Sequence, residues 1–346
     1  MTIHRGRGAV ENPTGRFQAN SILREPGEEP ALSTEFFTDH TRSILARNDS
    51  PDIPFNLSVN PYRGCEHGCT YCYARPSHEF LGFSAGLDFE SRILIKEEAA
   101  ELLRAELMKK SYRPEVINLS GVTDCYQPIE REKRITRACI EVLREFKNPF
   151  SIITKNNLVT RDIDLIAPMA EVGAAAVFIS ITTLSDDLAA KLEPRASRPG
   201  ARLAAIERLS AAGIPVGVIV APVIPGLTDH EMPGILKAAA AAGACRAAFT
   251  PLRLPFGVAD LFTRWLEEHY PLKKEKVLSQ IREVRGGKLN DPNFTSRMKG
   301  EGDGAALLGQ LFRLHCAKFG LNREGRRFEL TTGHFARPGE QLRLLF

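Results

Sequence analysis

From residue 57 onward, short apolar, β-branched runs alternate with longer stretches whose apolar positions recur every three or four residues. Val116-Ile117-Asn118-Leu119-Ser120, Phe150–Lys155, Ala175–Thr182, Pro215–Ile224 and Arg246–Leu252 read as strands buried on both faces. Between them, Glu132–Lys147, Arg161–Val172, Gly200–Ala212 and His230–Ala242 have helical spacing, and Gly213 and Gly243 stand where helix C-terminal caps fall. Strands alternating with helices of this length mean β/α units and a parallel sheet. With Leu57–Asn60 ahead of them, the strands number about six. That is too few for a closed eight-stranded barrel and fits an open, partial (β/α)6 barrel of the TIM type, in which chemistry sits at the C-terminal ends of the strands.

The flanks read differently. Residues 1–55 are rich in Arg, Gly, Pro, Asn and Glu with little apolar periodicity, which predicts an extended or partly disordered leader, with one short helix over Glu35–Ala46. Beyond Pro255 the pattern is mainly helical: Val258–His269, Lys273–Val284 and Ala305–Phe319, with a loop at Gly286–Pro292 and a closing strand pair at Arg327–Thr331 and Gln341–Phe346. Gly300-Glu301-Gly302-Asp303-Gly304 follows no strand, so Asp303 is expected as a helix N-cap rather than part of a phosphate loop. The expected organisation is a leader (1–55), a core (56–255) and a C-terminal extension (256–346).

Composition changes this picture little. A 43% hydrophobic and 25% charged chain of 346 residues is of ordinary globular make-up. No apolar run reaches the ~18 residues of a membrane span, and the N-terminus lacks a signal-peptide core, so no membrane association and a cytoplasmic location are expected. The net charge of +4 is unevenly spread: 271–346 holds 15 Lys and Arg against 8 Asp and Glu, while the rest holds 31 against 34. A basic C-terminal quarter makes DNA or RNA a candidate partner, although a solvated cationic face would look the same.

Chemistry concentrates in Asn60–Tyr73, where Cys65, Cys69 and Cys72 fall within eight residues directly after the first barrel strand. Three thiolates on one loop can hold three irons of a [4Fe–4S] cube and leave the fourth iron open. An open iron can be chelated by the amino and carboxylate groups of S-adenosylmethionine (SAM), and an electron from the cluster then breaks a C–S bond to release a 5′-deoxyadenosyl radical. Gly64 and Gly68 allow the loop to turn closely. A structural zinc, with His67 or His78 as fourth ligand, competes with this reading, though zinc sites usually show two separated ligand pairs. Cys125, Cys139, Cys245 and Cys316 are scattered, which argues against a second cluster.

Four strand ends carry polar groups. The turn Ser120–Asp124, with Ser120, Thr123 and Asp124, suits the SAM ammonium; Lys155 suits its carboxylate; Ser180 and Thr182 suit the ribose hydroxyls. Arg195, in Glu193-Pro194-Arg195, is a candidate for a substrate phosphate or carboxylate, with a structural ion pair as the alternative. Tyr126 and Gln127 extend the second loop toward the same opening. In the extension, Arg282, Arg285 and Lys288 are candidate phosphate contacts.

The pattern C-x3-C-x-aromatic-C resembles the signature of the radical SAM superfamily, and the resemblance implies that Tyr71 packs near the adenine. Cys65–Tyr73, Ser120–Asp124, Ile153–Asn156, Glu193-Pro194 and Gly217–Ile224 resemble the branch that includes spore photoproduct lyase and proteins labelled "DNA repair photolyase". Ile281–Lys288 is similar to an uncharacterised bacterial subgroup of that branch. The resemblance covers about residues 55–255. It implies a [4Fe–4S] cluster, SAM, and reduced flavodoxin or ferredoxin as electron donor. It also departs from the lyase in two ways. The lyase's hydrogen-donating cysteine at the second strand end is replaced by Gly121, leaving Cys125 as a substitute donor, and the G-x-I-x-G-x-x-E pattern keeps Gly217 and Ile219 but not its later positions. A peptide or small metabolite as substrate, and a non-catalytic zinc protein, stand as alternatives.

Overall fold

The computed structural model describes residues 6–17, 33–323 and 329–339. Its strands are β1 (Glu35–Thr38), β2 (Leu45–Arg47), β3 (Leu57–Val59), β4 (Tyr62–Arg63), β5 (Arg92–Ile95), β6 (Ile117–Leu119), β7 (Phe150–Thr154), β8 (Ala175–Ser180), β9 (Val216–Val223) and β10 (Arg246–Pro251). One sheet has the order β10-β9-β8-β7-β6-β3-β2, and its first six members are parallel. Only β2 runs antiparallel, at the edge beside β3. The edges β10 and β2 do not pair, so this is an open partial barrel. A second sheet, β1-β5-β4, stands beside it.

The six parallel strands match the runs read from the sequence to within one or two residues at each end. Burial on both faces explains why: β8 and β9 offer Val177, Ile179, Val218 and Val220 to a single core, together with Leu143, Ile166, Ile206 and Leu236 from the covering helices. The helices Ile135–Glu145, Ile163–Glu171 and Met232–Ala241 fall within the expected spans, and Pro199–Ala211 starts one residue before its own. Gly213, with φ +75°, donates to Ser210 O as a cap requires.

Four local expectations are corrected. Residues 35–46 form no helix: Glu35-Phe36-Phe37-Thr38 pairs in parallel with β5, because an edge offers this aromatic and β-branched segment a partner that its lack of an apolar stripe denies it as a helix. The strand β5 and the helix Ala99–Met108 lie where no element was expected. The last long helix starts at Gly302 with Glu301 at the N-cap, so Asp303 sits inside its first turn. The closing strand pair falls largely outside the described residues, and its described part, 329–331, is not a strand.

The leader's described part is an ordered strap. Gly8 N and Ala9 N donate to the buried Glu90 carboxylate at 2.9 and 2.7 Å, and Thr70 Oγ1 donates to Gly8 O at 3.1 Å. The helix Gly302–Phe319 packs on Met232–Ala241 and β10, so the extension is joined to the last barrel units. Among the described residues, no helix is long and apolar enough to cross a membrane.

Candidate active site

The cysteine loop leaves β3, passes through β4, and turns at Gly64 (φ +78°) and Gly68 (φ +68°). A Cβ on Gly68 would meet Glu90 Oε2 at 2.9 Å, so the close approach requires glycine. Two buried groups hold the loop from behind. Gln127 accepts from Glu66 N at 2.9 Å and donates to Gly64 O at 3.2 Å. Arg75 donates to Cys69 O and Gly86 O, both at 2.9 Å, and forms an ion pair with Glu90 that is fully buried.

Cys65, Cys69 and Cys72 are all free and line one cavity of about 340 Å³. Burial pushes all three thiols up, and Asp124 adds to the effect at Cys65. Such thiols release their protons only to a strongly cationic ligand. Neither histidine completes a zinc set. His67 lines the cavity, but its Nδ1 lies 3.4 Å from Asp124 and its Nε2 3.2 Å from Asn156. His78 points away, with Nε2 on Arg92 O at 2.9 Å. Among the described residues no three His, Cys, Asp or Glu side chains converge on one ion.

The same cavity is lined by Tyr71, from the cysteine loop itself, and by Ser120, Thr123, Asp124, Lys155 and Ser180 from the strand ends. Ser120 has φ +84°, a strained value for a residue with a Cβ, and its hydroxyl donates to Thr123 O at 2.6 Å to hold the turn. Asp124 accepts from Lys155 N and Thr154 Oγ1, both at 2.7 Å. Burial would raise its carboxyl, but His67 and these donors hold it below the usual range. Lys155 Nζ donates to Ser180 Oγ at 2.6 Å and Ala221 O at 3.0 Å, and lies 3.5 Å from Glu193. Thr182 stands behind the cavity wall, bonded to Tyr71 at 3.2 Å and Glu193 at 2.7 Å.

Glu193 is the buried centre of this ring, accepting also from Tyr71 and Arg202. Burial alone would raise its carboxyl, yet Arg202 and Lys155 hold it far below the carboxylate range. The charge roles of Glu193 and Arg202 were not read from the sequence, since they depend on a loop and a helix meeting under β8. Arg253 and Tyr73 were also missed as lining residues. Arg253 stands two residues past the end of β10, so the strand-end rule that singled out Lys155 would have found it.

Several expected residues are not brought to the cavity. Cys125 is fully buried in the main apolar core, its thiol pushed well up by burial, so it does not face the opening as a donor must. Tyr126 is buried with its hydroxyl on Asp162 at 3.0 Å, and Gln127 supports the cysteine loop. Arg195 takes the ion-pair alternative, 2.9 Å from Glu66. Arg285 is buried and donates to the carbonyls of Pro251, Leu252, Ser296 and Arg297, which corrects its reading as a phosphate contact. Arg282 and Lys288 are exposed and do not line the cavity.

A parallel β/α sheet with three free thiols at its C-terminal mouth, opposite a lysine, an aspartate and serine hydroxyls, defines a partial-barrel enzyme. More specifically, the radical SAM superfamily model matches residues 59–239, and the chain belongs to that superfamily, whose cofactors are a [4Fe–4S] cluster and SAM. An uncharacterized protein of Mycobacterium tuberculosis is 36% identical over 250 residues, 71% of this chain and 72% of the relative. One from Methanocaldococcus jannaschii is 30% identical over 173 residues, 50% of this chain and 62% of the relative. Among solved structures, spore photoproduct lyase complexed with dinucleoside spore photoproduct superposes with a TM-score of 0.59 at 17% identity, covering 87% of this chain and 86% of the lyase. A mutant of that lyase with bound AdoMet and the same photoproduct gives 0.58, also at 17% identity, covering 89% of this chain and 88% of the mutant chain. These likenesses establish the fold.

Proposed function

We propose that Cys65, Cys69 and Cys72 hold one [4Fe–4S] cluster and that SAM binds beside it between the ends of β6, β7 and β8. The observation that carries this reading is that the three free thiols and the polar strand ends line the same cavity. When bound, the cluster and SAM supply a 5′-deoxyadenosyl radical for hydrogen abstraction from a substrate. Lys155, kept extended by Ser180 and Ala221 O, offers its ammonium to the SAM carboxylate, and the Ser120–Asp124 turn receives the SAM ammonium. Tyr71 stands on the adenine side, its hydroxyl anchored by Glu193 so that the ring cannot swing. Ile53, Val122, Ile153, Ile219 and Met298 add apolar surface to the wall and limit the water that can reach the reacting atoms.

Residues 56–255 form the catalytic core in this reading, the described residues before 56 its cover and those from 256 onward an extension closing one side. The electron comes from reduced flavodoxin or ferredoxin, in the reducing cytoplasm where seven unpaired cysteines persist. The substrate is best sought among nucleic acids, given the basic extension and a fold shared with an enzyme solved with a dinucleoside photoproduct. Photoproduct reversal by a cysteine hydrogen donor is not part of the proposal, because the described cavity wall holds no cysteine besides the three. Anaerobic reconstitution tests the reading: about four irons per chain, and 5′-deoxyadenosine formed from SAM on reduction, are expected. Replacing Cys65, Cys69 or Cys72 by Ala should remove both, whereas Cys139→Ala and Cys316→Ala should keep them. Stoichiometric zinc in a colourless protein would refute it.

A further inference from the structure

The charged groups around the cavity have oppositely charged or titratable partners within the protein, with one exception. Asp124 faces His67, and Lys155 and Arg202 share Glu193. Arg253 lines the same cavity, half-buried, and no carboxylate among the described residues lies within ion-pairing reach of it. Its nearest acidic neighbour is already engaged: Asp52 accepts from Arg297 Nε at 2.7 Å and from Thr295 N at 2.5 Å. Arg297 adds positive charge on that side; burial first and then Arg297 disfavour the charged form of Arg253, against which Tyr73 and the already engaged Asp52 act only in part. A guanidinium kept in such a place without a counter-ion is expected to have an anion as its ligand.

The position is defined as well as the charge. The guanidinium lies over the ring of Tyr73, 5.0 Å from its centroid. Tyr73 directly follows Cys72 and is itself tied to the turn after β6 through its hydroxyl on Gly121 O. Arg285 clamps Pro251 and Leu252, so the backbone that carries Arg253 is fixed. The end of the last barrel strand is thus held against the cysteine loop, and Arg253 lines the cavity there.

We infer that Arg253, stacked on Tyr73, is the docking point for an oxyanion carried by the substrate, a phosphate or a carboxylate, beside the cysteine loop. This rests on the reading that SAM occupies the Lys155 side of the cavity. It makes the substrate an anion.

The test uses anaerobically reconstituted holoenzyme with SAM, titrated calorimetrically with two probe pairs. Thymidine 5′-monophosphate against thymidine forms the phosphate arm, and N-acetylglycine against N-acetylglycinamide the carboxylate arm. In at least one arm the anion should bind about tenfold or more tightly than its neutral partner, as a charge-assisted bond implies. The preference should fall to about twofold or less in Arg253→Gln and be partly kept in Arg253→Lys, which retains charge but not the fork. No anion preference in either arm of the wild type would overturn the inference without any variant. So would a Gln variant that keeps the preference but weakens SAM, which would assign Arg253 to the cofactor. Failure of the underlying reading shows separately, as absent iron or absent 5′-deoxyadenosine in the wild type.

Discussion

At the scale of single residues, the site rests on buried ionisable groups whose environments differ sharply. Lys155 has three polar neighbours, and its loss leaves Glu193 still paired with Arg202. Lys155→Ala should therefore fold, keep its iron, and bind SAM at least about tenfold more weakly, the size expected when one partner of a desolvated charge pair is removed. Glu193→Gln is the opposite case. It strands the guanidinium of Arg202, which is 1% exposed, and should lower stability to denaturant by about 3–5 kcal/mol. His78 sets a pH limit. It is fully buried against Gly64, and burial lowers it from 6.5 to about 4. The unfolded chain binds the extra proton between these values, so stability should fall as pH drops from about 6.5 to about 4, by roughly 3 kcal/mol in all. Denaturant unfolding across that range, with His78→Gln as reference, measures it: the variant should show a shallower loss.

Among elements, the strap 6–17 has a function that its composition hides. A Cβ at Gly8 would lie 1.8 Å from Gly68 O, against the turn between the first two site cysteines. Gly8→Val should push the strap off the loop and leave the Glu90 carboxylate without its two backbone donors, at a cost of about 1–3 kcal/mol. The readout is iron release to a chelator, expected to be faster than in wild type. Gly200→Ala, where nothing lies within 4 Å, should release iron at the wild-type rate. The strap was read as extended or disordered because glycine- and proline-rich sequence has no periodicity, while its order comes from partners more than 60 residues away.

For the whole molecule, the basic extension separates into a structural and a solvent-facing set. Arg285 ties the extension to β10 through four carbonyls, so Arg285→Ala should cost about 3 kcal/mol or more and leave any salt dependence of nucleic-acid binding unchanged. Arg282 and Lys288 are exposed. If DNA or RNA crosses this face, each of Arg282→Ala and Lys288→Ala should reduce the log–log salt slope by about one. Binding by wild type that does not respond to salt would exclude nucleic acid as the partner of the extension.

What the chain determined by itself was whatever local patterning carries. Buried parallel strands announce themselves as continuous apolar runs, so β3 and β6 to β10 were legible, and with them the rule that Ser120, Asp124, Lys155 and Ser180 stand at strand ends. The thiol triplet was legible because its spacing is contiguous in sequence. Tertiary structure alone decided which polar residues meet. Cys125 and Tyr126 come next after Asp124 in the loop that follows β6, but the loop turns them into the core. Arg285 sits in a cationic run yet is buried, because four carbonyls, two at the end of β10 and two in the segment that follows its own helix, converge on it. Glu193 meets Tyr71, Lys155 and Arg202 only once the loop after β8 closes under the barrel mouth. Periodicity reports which face of an element is apolar, whereas the partner of a buried charge is set by packing between elements far apart in the chain.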